Sequence, residues 1–195
     1  MYAIDGYILE RRDRVARMGG GVLVYMQAAA FSTYERLPQL EHTDHEMLWI
    51  RLSFRSGRTL VLCTAYRPPG IPLSPFAEQL ETSLSRAKSM AHPIVITGDF
   101  NARSNEWFTG DQTNDDGEQL NQFFHSYDMK QLVNFPTRFR GGASYSCLDL
   151  VATDKDDITV SSLAPVRQSD HVTILGKLPF REQCSRPDKQ TVWCW

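Results

Sequence analysis

Gly98-Asp99-Phe100-Asn101-Ala102 follows the apolar run Ile94-Val95-Ile96 after a single threonine. A short buried strand ending there projects a carboxylate and a carboxamide from its C-terminal edge. In extended geometry residues two apart point the same way, so Asp99 and Asn101 share a side. The carboxylate can take a proton or hold a metal. The carboxamide can orient a water or a phosphate oxygen without adding charge. Gly98 lets the backbone come close to whatever sits there. The same residues also suit a plain turn, since Asp and Asn tolerate tight backbone angles. The motif alone leaves both readings open.

Three further segments place polar groups at or inside apolar runs. Tyr66 follows Thr64-Ala65, Asp149 interrupts Cys147-Leu148-Asp149-Leu150-Val151, and Asp170-His171 opens Val172-Thr173-Ile174-Leu175. A carboxylate in an apolar strand needs a partner, because burying it unpaired is costly. His171 is the candidate partner for Asp149, which would fix the imidazole's orientation and stabilise its protonated form. Taken singly, each residue has an ordinary explanation: a surface Asp-His pair, an Asp on backbone amides, a packed Tyr. Their joint occurrence points to a site.

The elements that must carry these groups are legible from periodicity. Val22–Met26 reads as a buried strand after the loop Gly19-Gly20-Gly21. No helix and no Lys-Ser/Thr follow those glycines, which disfavours a nucleotide P-loop. Glu46–Phe54 and Thr59–Ala65 read as strands joined by a hairpin turn at Ser56-Gly57-Arg58. Ser74 and Pro75 predict a helix start, as N-cap and first helical residue, with Phe76, Leu80, Leu84 and Ala87 on its apolar face. A second helix is expected from Asp115 or Asp116, with Leu120, Phe123, Phe124 and Tyr127 at helical spacing. Ser146–Ala152, Thr159–Leu163 and Val172–Leu175 complete the strands. The pattern dissolves from about residue 181 into a polar tail ending Trp193-Cys194-Trp195. Many short strands with two helices indicate an α/β domain with mixed sheets.

Composition sets bounds. The 195 residues suffice for one domain with a substantial core, and 42% hydrophobic with 23% charged content is ordinary for a globular chain. No apolar run approaches the roughly 20 residues that span a membrane. The N-terminus lacks the basic-then-apolar pattern of a signal peptide, so a nuclear or cytoplasmic setting is expected. The net charge of −2 gives no global attraction to nucleic acid, so any such contact needs a local basic patch. The clusters Arg11, Arg12, Arg14, Arg17 and Arg138, Arg140 read as solvated surface. Cys63 and Cys147 read as reduced core residues. With Cys184 and Cys194 they show no Cys-x-x-Cys spacing, which disfavours zinc or a disulfide framework.

In order, Ala65-Tyr66-Arg67-Pro68-Pro69, Gly98-Asp99-Phe100-Asn101-Ala102, Leu148-Asp149-Leu150 and Ser169-Asp170-His171 resemble the endonuclease/exonuclease/phosphatase superfamily. More closely, the chain resembles the apurinic/apyrimidinic-type endonuclease domain of non-LTR retrotransposons. Trp107, then Asn114, Gly117 and Leu120, then Asn134-Phe135-Pro136-Thr137-Arg138, and Gly19-Gly20-Gly21-Val22 carry that closer likeness. The resemblance spans roughly residues 5 to 178. It implies a four-layer sandwich, two mixed β-sheets face to face with helices outside. It implies Mg²⁺-dependent hydrolysis of DNA phosphodiesters, by a domain of a larger polyprotein that also holds a reverse transcriptase. It implies that Asp99 activates the attacking water, that Asn101 orients it, and that Asp149 pairs with His171, which contacts the scissile phosphate. Asp170 would help hold metal, Tyr66 would position the phosphate or leaving oxygen, and Thr137 would hydrogen-bond DNA. The chain would divide into a domain over residues 1–180 and a linker-like tail over 181–195.

The match departs at the start. The superfamily pattern places a strand bearing an Asn, a helix, and a strand ending in the principal metal-binding Glu ahead of the glycine-rich segment. Only 18 residues precede Gly19 here, and neither Glu10 nor Glu46 stands at that position. The expectation is a domain lacking its first strand and helix, with weakened Mg²⁺ binding and impaired cleavage. A phosphatase or DNA-repair nuclease of the same superfamily, or a non-catalytic remnant that binds nucleic acid or a partner, are the alternative readings.

Overall fold

The fold is that of a computed structural model, described here for residues 3–14, 20–140, 144–179 and 192–193. The strands range from aliphatic and β-branched runs to short polar segments. They are β1 (Tyr7–Asp13), β2 (Gly21–Gln27), β3 (Thr33–Arg36), β4 (Glu46–Ser53), β5 (Thr59–Tyr66) and β6 (Ile94–Asp99), with helix α1 (Leu73–Lys88) between β5 and β6. Helix α2 (Asp115–Ser126) follows, then β7 (Lys130–Gln131), β8 (Arg138–Arg140), β9 (Ser144–Ser146), β10 (Asp149–Thr153), β11 (Thr159–Leu163), β12 (Thr173–Lys177) and β13 (Val192–Trp193).

Six strands make one mixed sheet in the order β3-β4-β5-β6-β10-β7. Every neighbour is antiparallel except β5 and β6, which run parallel and are joined by the α1 crossover. The β1-β2 hairpin and the β11-β12-β13 sheet form an opposing layer. They face the sheet across a cleft of about 550 Å³ lined by Val22, Leu60, Leu62, Val95, Val151 and Ile174 among others. Among the described residues, β1 is the only strand paired with β2. The sandwich of sheets and outer helices expected from the sequence is therefore present, with the second layer in two pieces.

The consecutive residues Met47, Leu48, Trp49 and Ile50 of β4 are all wholly buried, so the sheet is covered on both faces there. Phe76 of α1, Phe100 and Phe124 of α2 stack edge to face at centroid separations of 5.9 and 6.3 Å. This chain of rings ties both helices to the segment just beyond Asp99. No helix among the described residues is long and apolar enough to cross a membrane.

Several sequence expectations shift. Helix α1 begins at Leu73 behind Pro72, and no side chain caps it. Ser74 and Pro75 lie inside the first turn, where proline's missing N–H costs nothing because those donors have no intrahelical acceptor. The strand expected over Ser146–Ala152 splits, and β10 starts at Asp149. Asp149 is thus at a strand's end, not in its middle. Arg12 and Arg14 are not solvated surface, because both are held in part-buried ion pairs with Glu41 and Glu46. Arg17, Gly19, Cys184, Cys194 and nearly all of the polar tail lie outside the described residues.

Candidate active site

Strand register builds the site. Glu46 pairs with Tyr66 across β4 and β5, Tyr66 with Asp99 across β5 and β6, and Asp99 with Asp149 across β6 and β10. Residues in register across a sheet project from the same face. Four polar side chains therefore stand in one row along one rim, and the last three line the end of the apolar cleft together with His171.

Close approach of β5 and β6 depends on Gly98. A Cβ there would sit 1.7 Å from the Ala65 carbonyl oxygen, and the residue's φ is +148°. Beyond Asp99 the chain turns sharply at Asn101, which adopts a φ of +48°, a conformation asparagine tolerates better than most residues. The Asn101 N–H donates to Asp99 Oδ1 at 2.9 Å, and its carboxamide donates to the Arg67 carbonyl at 3.0 Å.

His171 Nδ1 lies 2.6 Å from Asp149 Oδ2. Donor atoms of Asp99, Asp149 and His171 all lie within 4.8 Å of one another. Burial first, and then the charge of Asp149, push the Asp99 carboxyl up to about 6, against the pull of the Asn101 N–H. The hydrogen bond to Asp149 holds the His171 imidazolium above its ordinary range, outweighing its burial. The result is a half-buried carboxylate with raised basicity beside an imidazolium fixed in orientation. Such an arrangement can take a proton from water and offer a positive N–H to an anion.

The remaining expected residues sit nearby. Asp170 is not in this cluster: its carboxylate accepts from Arg138 Nε at 2.8 Å, and that bond holds it below the usual carboxylate range. Thr137 is fully buried behind Asp149, and its hydroxyl oxygen accepts from the N–H groups of Leu148 and Asp149 at 3.0 Å each. Tyr66 stands in the row with the Arg14 guanidinium 5.6 Å over its ring.

Sequence reasoning gave no role to Glu46, Arg14 or Arg67. Glu46 accepts from Arg14 Nε and from the Gly21 N–H, both at 2.5 Å. Arg67 is buried, and donates to the carbonyls of Phe100, Ile71 and Asn101 and to the Asp116 carboxylate. Its place directly after Tyr66 was the available signal, since a buried arginine at a strand end must find several acceptors. Asn114 caps α2 by accepting from Gly117 N–H, and the same oxygen accepts from Arg103 N–H.

Comparison with known proteins agrees with this geometry. Residues 60–175, more than half of the chain and spanning Tyr66 to His171, match the sequence profile of a family described as Endonuclease-reverse transcriptase. The chain belongs to that family. A search of curated proteins found no match. Among solved structures, the endonuclease domain of TRAS1, a telomere-specific non-LTR retrotransposon, superposes with a TM-score of 0.75 at 19% identity, covering 91% of this chain and 82% of that one. An endonuclease/exonuclease/phosphatase family protein from Leptotrichia buccalis gives 0.62 at 14% identity, over 91% of this chain and 74% of the other. The 3′ phosphatase NExo from Neisseria, bound to a product DNA hairpin, gives 0.62 at 13%, over 90% and 80%. The fold of this endonuclease-reverse transcriptase family member is that of the endonuclease/exonuclease/phosphatase superfamily.

Proposed function

We propose that this domain hydrolyses DNA phosphodiesters in the presence of Mg²⁺, as the endonuclease part of a retrotransposon machinery that works beside a reverse transcriptase. The observation that carries this reading is the convergence of Tyr66, Asp99, Asp149 and His171 at one rim from four separate segments. Asp99 takes the proton of the attacking water, and Asn101 holds the Asp99 carboxylate through its backbone N–H. Imidazolium His171, oriented by Asp149, donates from its outer nitrogen to a phosphate oxygen. Tyr66, next to Asp99 in the row, donates to the phosphate or the leaving oxygen.

The residues fit a magnesium ion. Two half-buried carboxylates lie within reach of each other, the Asp149 charge raises the proton affinity of Asp99, and hard oxygen donors are what this cation takes. Asp99 and Asp149 would hold it, and it would neutralise charge gathering on the phosphate. The hold is weak. Glu46 is committed to Arg14 and Gly21, and Asp170 to Arg138. Slow cleavage that needs high magnesium is the consequence.

Supercoiled plasmid incubated over a MgCl₂ series tests the reading. The expected result is slow nicking that rises into the millimolar range and disappears in Asp99→Asn and His171→Ala. Nicking that survives both substitutions would overturn the proposal, and vigorous nicking at micromolar magnesium would overturn the weak metal hold.

A further inference from the structure

A second concavity lies against the first. It is polar, encloses about 470 Å³, and is lined by Arg67, Asn101, Arg103, Asn114, Asp116 and Arg138 among others. The two sites meet at neighbouring residues: Asp149 lines the rim site and the adjacent Leu148 the polar cleft, and Asp99 lines the rim site with Asn101, two residues on, in the cleft.

The charges in this cleft are unequal in number and in commitment. Three arginines line it against one aspartate. Arg67 Nη2 lies 2.7 Å from Asp116, and its other donors go to backbone carbonyls, so this pair is internally neutralised. Arg138 is paired with Asp170. Arg103 is exposed, and its guanidinium makes no hydrogen bond or ion pair among the described residues. Asp111 feels its charge through space.

The backbone beneath Arg103 is fixed from both sides. Its N–H donates to Asn114 Oδ1 at 3.0 Å, and its carbonyl accepts the Asn114 N–H at 3.1 Å. Helix α2 presses on it through Gly117, where a Cβ would lie 1.7 Å from the Arg103 carbonyl oxygen. A guanidinium without a partner, on a backbone held from both sides and in a cleft that adjoins the Asp99–Asp149 rim, is available to an anion.

We propose that the polar cleft is a second phosphate site, in which Arg103 grips a backbone phosphate of the same strand whose neighbour lies at the Asp99–His171 rim. This rests on the nuclease reading above and adds to it where the strand runs: across Asn101 toward the start of α2. Such a contact fixes the position of the strand and carries no sequence preference.

Binding of a fluorescein-labelled DNA duplex, followed by anisotropy without metal over a salt series, tests it. Arg103→Ala removes the charge from the cleft. Arg55→Ala makes the same change in the β4–β5 turn, at the opposite end of the sheet. The expected result is about a tenfold loss of affinity in Arg103→Ala only. The slope of log K against log salt should fall by about 0.9, as for one lost phosphate contact. Equal affinities and slopes for the two variants would overturn the second site. The two readings fail separately. A wild-type chain that nicks while Arg103→Ala binds normally sinks only the cleft. A chain that never nicks but loses affinity at Arg103 sinks only the cleavage. A chain that binds no DNA sinks both.

Discussion

Asp149 faces Asp99 across the β6–β10 pair while its Oδ2 lies 2.6 Å from Nδ1 of His171. One carboxylate thus acts on two neighbours in opposite senses of use: it raises the proton affinity of Asp99 and it holds the proton on His171. Asp149→Asn removes the charge and keeps the shape. The His171 titration, followed by its ring proton resonances, should then fall back toward the ordinary imidazole value of 6.5. Nicking should drop by about 100-fold or more, the usual scale of a lost proton donor. An unshifted His171 titration in the variant would show that Asp149 is not what holds the proton.

Asp99 couples metal binding to pH. Its carboxyl titrates at about 6 in the folded chain, above the ordinary 3.8. The folded state holds this proton more tightly than the unfolded state does. Stability from the protonated form is therefore present at low pH and declines as pH rises from about 4 to about 6. His171 adds in the same direction: its folded value is raised, so its contribution is full below 6.5 and is lost as pH climbs through that raised value. Magnesium competes with the Asp99 proton. Millimolar MgCl₂ should raise Tm at about pH 7.5 and scarcely at about pH 5. Asp99→Asn should abolish the difference, as read by thermal unfolding at the two pH values.

The reach of the sequence varied with the physics behind each element. Strands β4, β5 and β6 were legible because their apolar runs are continuous and bounded by turn residues. Helix α2 was legible because its buried face repeats at helical spacing. Strand β1, Tyr7–Asp13, was hidden because its charged residues read as a solvated cluster. Only three-dimensional pairing shows that Arg12 meets Glu41 and that Arg36 meets both Glu10 and Glu41. The Asp149–His171 pair could be read from the cost of burying a lone carboxylate. The row from Glu46 to Asp149 could not, because it depends on the register of three strand pairs, which no local pattern encodes. Asp170 was expected to help hold metal beside His171. In the fold Arg138, 32 residues away in sequence, captures the aspartate, a pairing no local pattern encodes.

Thr137 supports Asp149 from behind. Its hydroxyl oxygen satisfies two backbone donors, Leu148 N–H and Asp149 N–H, in a fully buried setting. Thr137→Val has nearly the same shape and leaves both donors without a partner. The cost should be about 2–6 kcal/mol, from roughly 1–3 kcal/mol for each orphaned group. Thr137→Ser keeps the acceptor and should cost well under half of that. Urea unfolding of the two variants distinguishes a hydrogen-bonding role from simple packing, since equal losses would mean that the hydroxyl does not matter.

Gly98 sets the spacing on which the row depends. Two separate costs attend any side chain there: a φ of +148°, and a Cβ 1.7 Å from the Ala65 carbonyl oxygen on the neighbouring strand. Gly57, in the β4–β5 turn, carries only the first kind of cost: its φ is +77° and nothing lies within 4 Å of a built Cβ. Gly57→Ala should therefore cost about 1–2 kcal/mol, the price of the left-handed conformation alone. Gly98→Ala should cost more than about 4 kcal/mol, because β5 and β6 must separate to admit the methyl group. Separation would also pull Tyr66 away from Asp99, since the two residues are held together by that parallel register. Any Gly98→Ala protein that still folds should bind DNA through the polar cleft beside Asn101 while failing to nick it. Denaturant unfolding of both alanine variants, with binding and nicking measured on the soluble fraction, checks the point. Equal destabilisation at the two glycines would show that backbone conformation, not the close approach of the strands, is what Gly98 supplies.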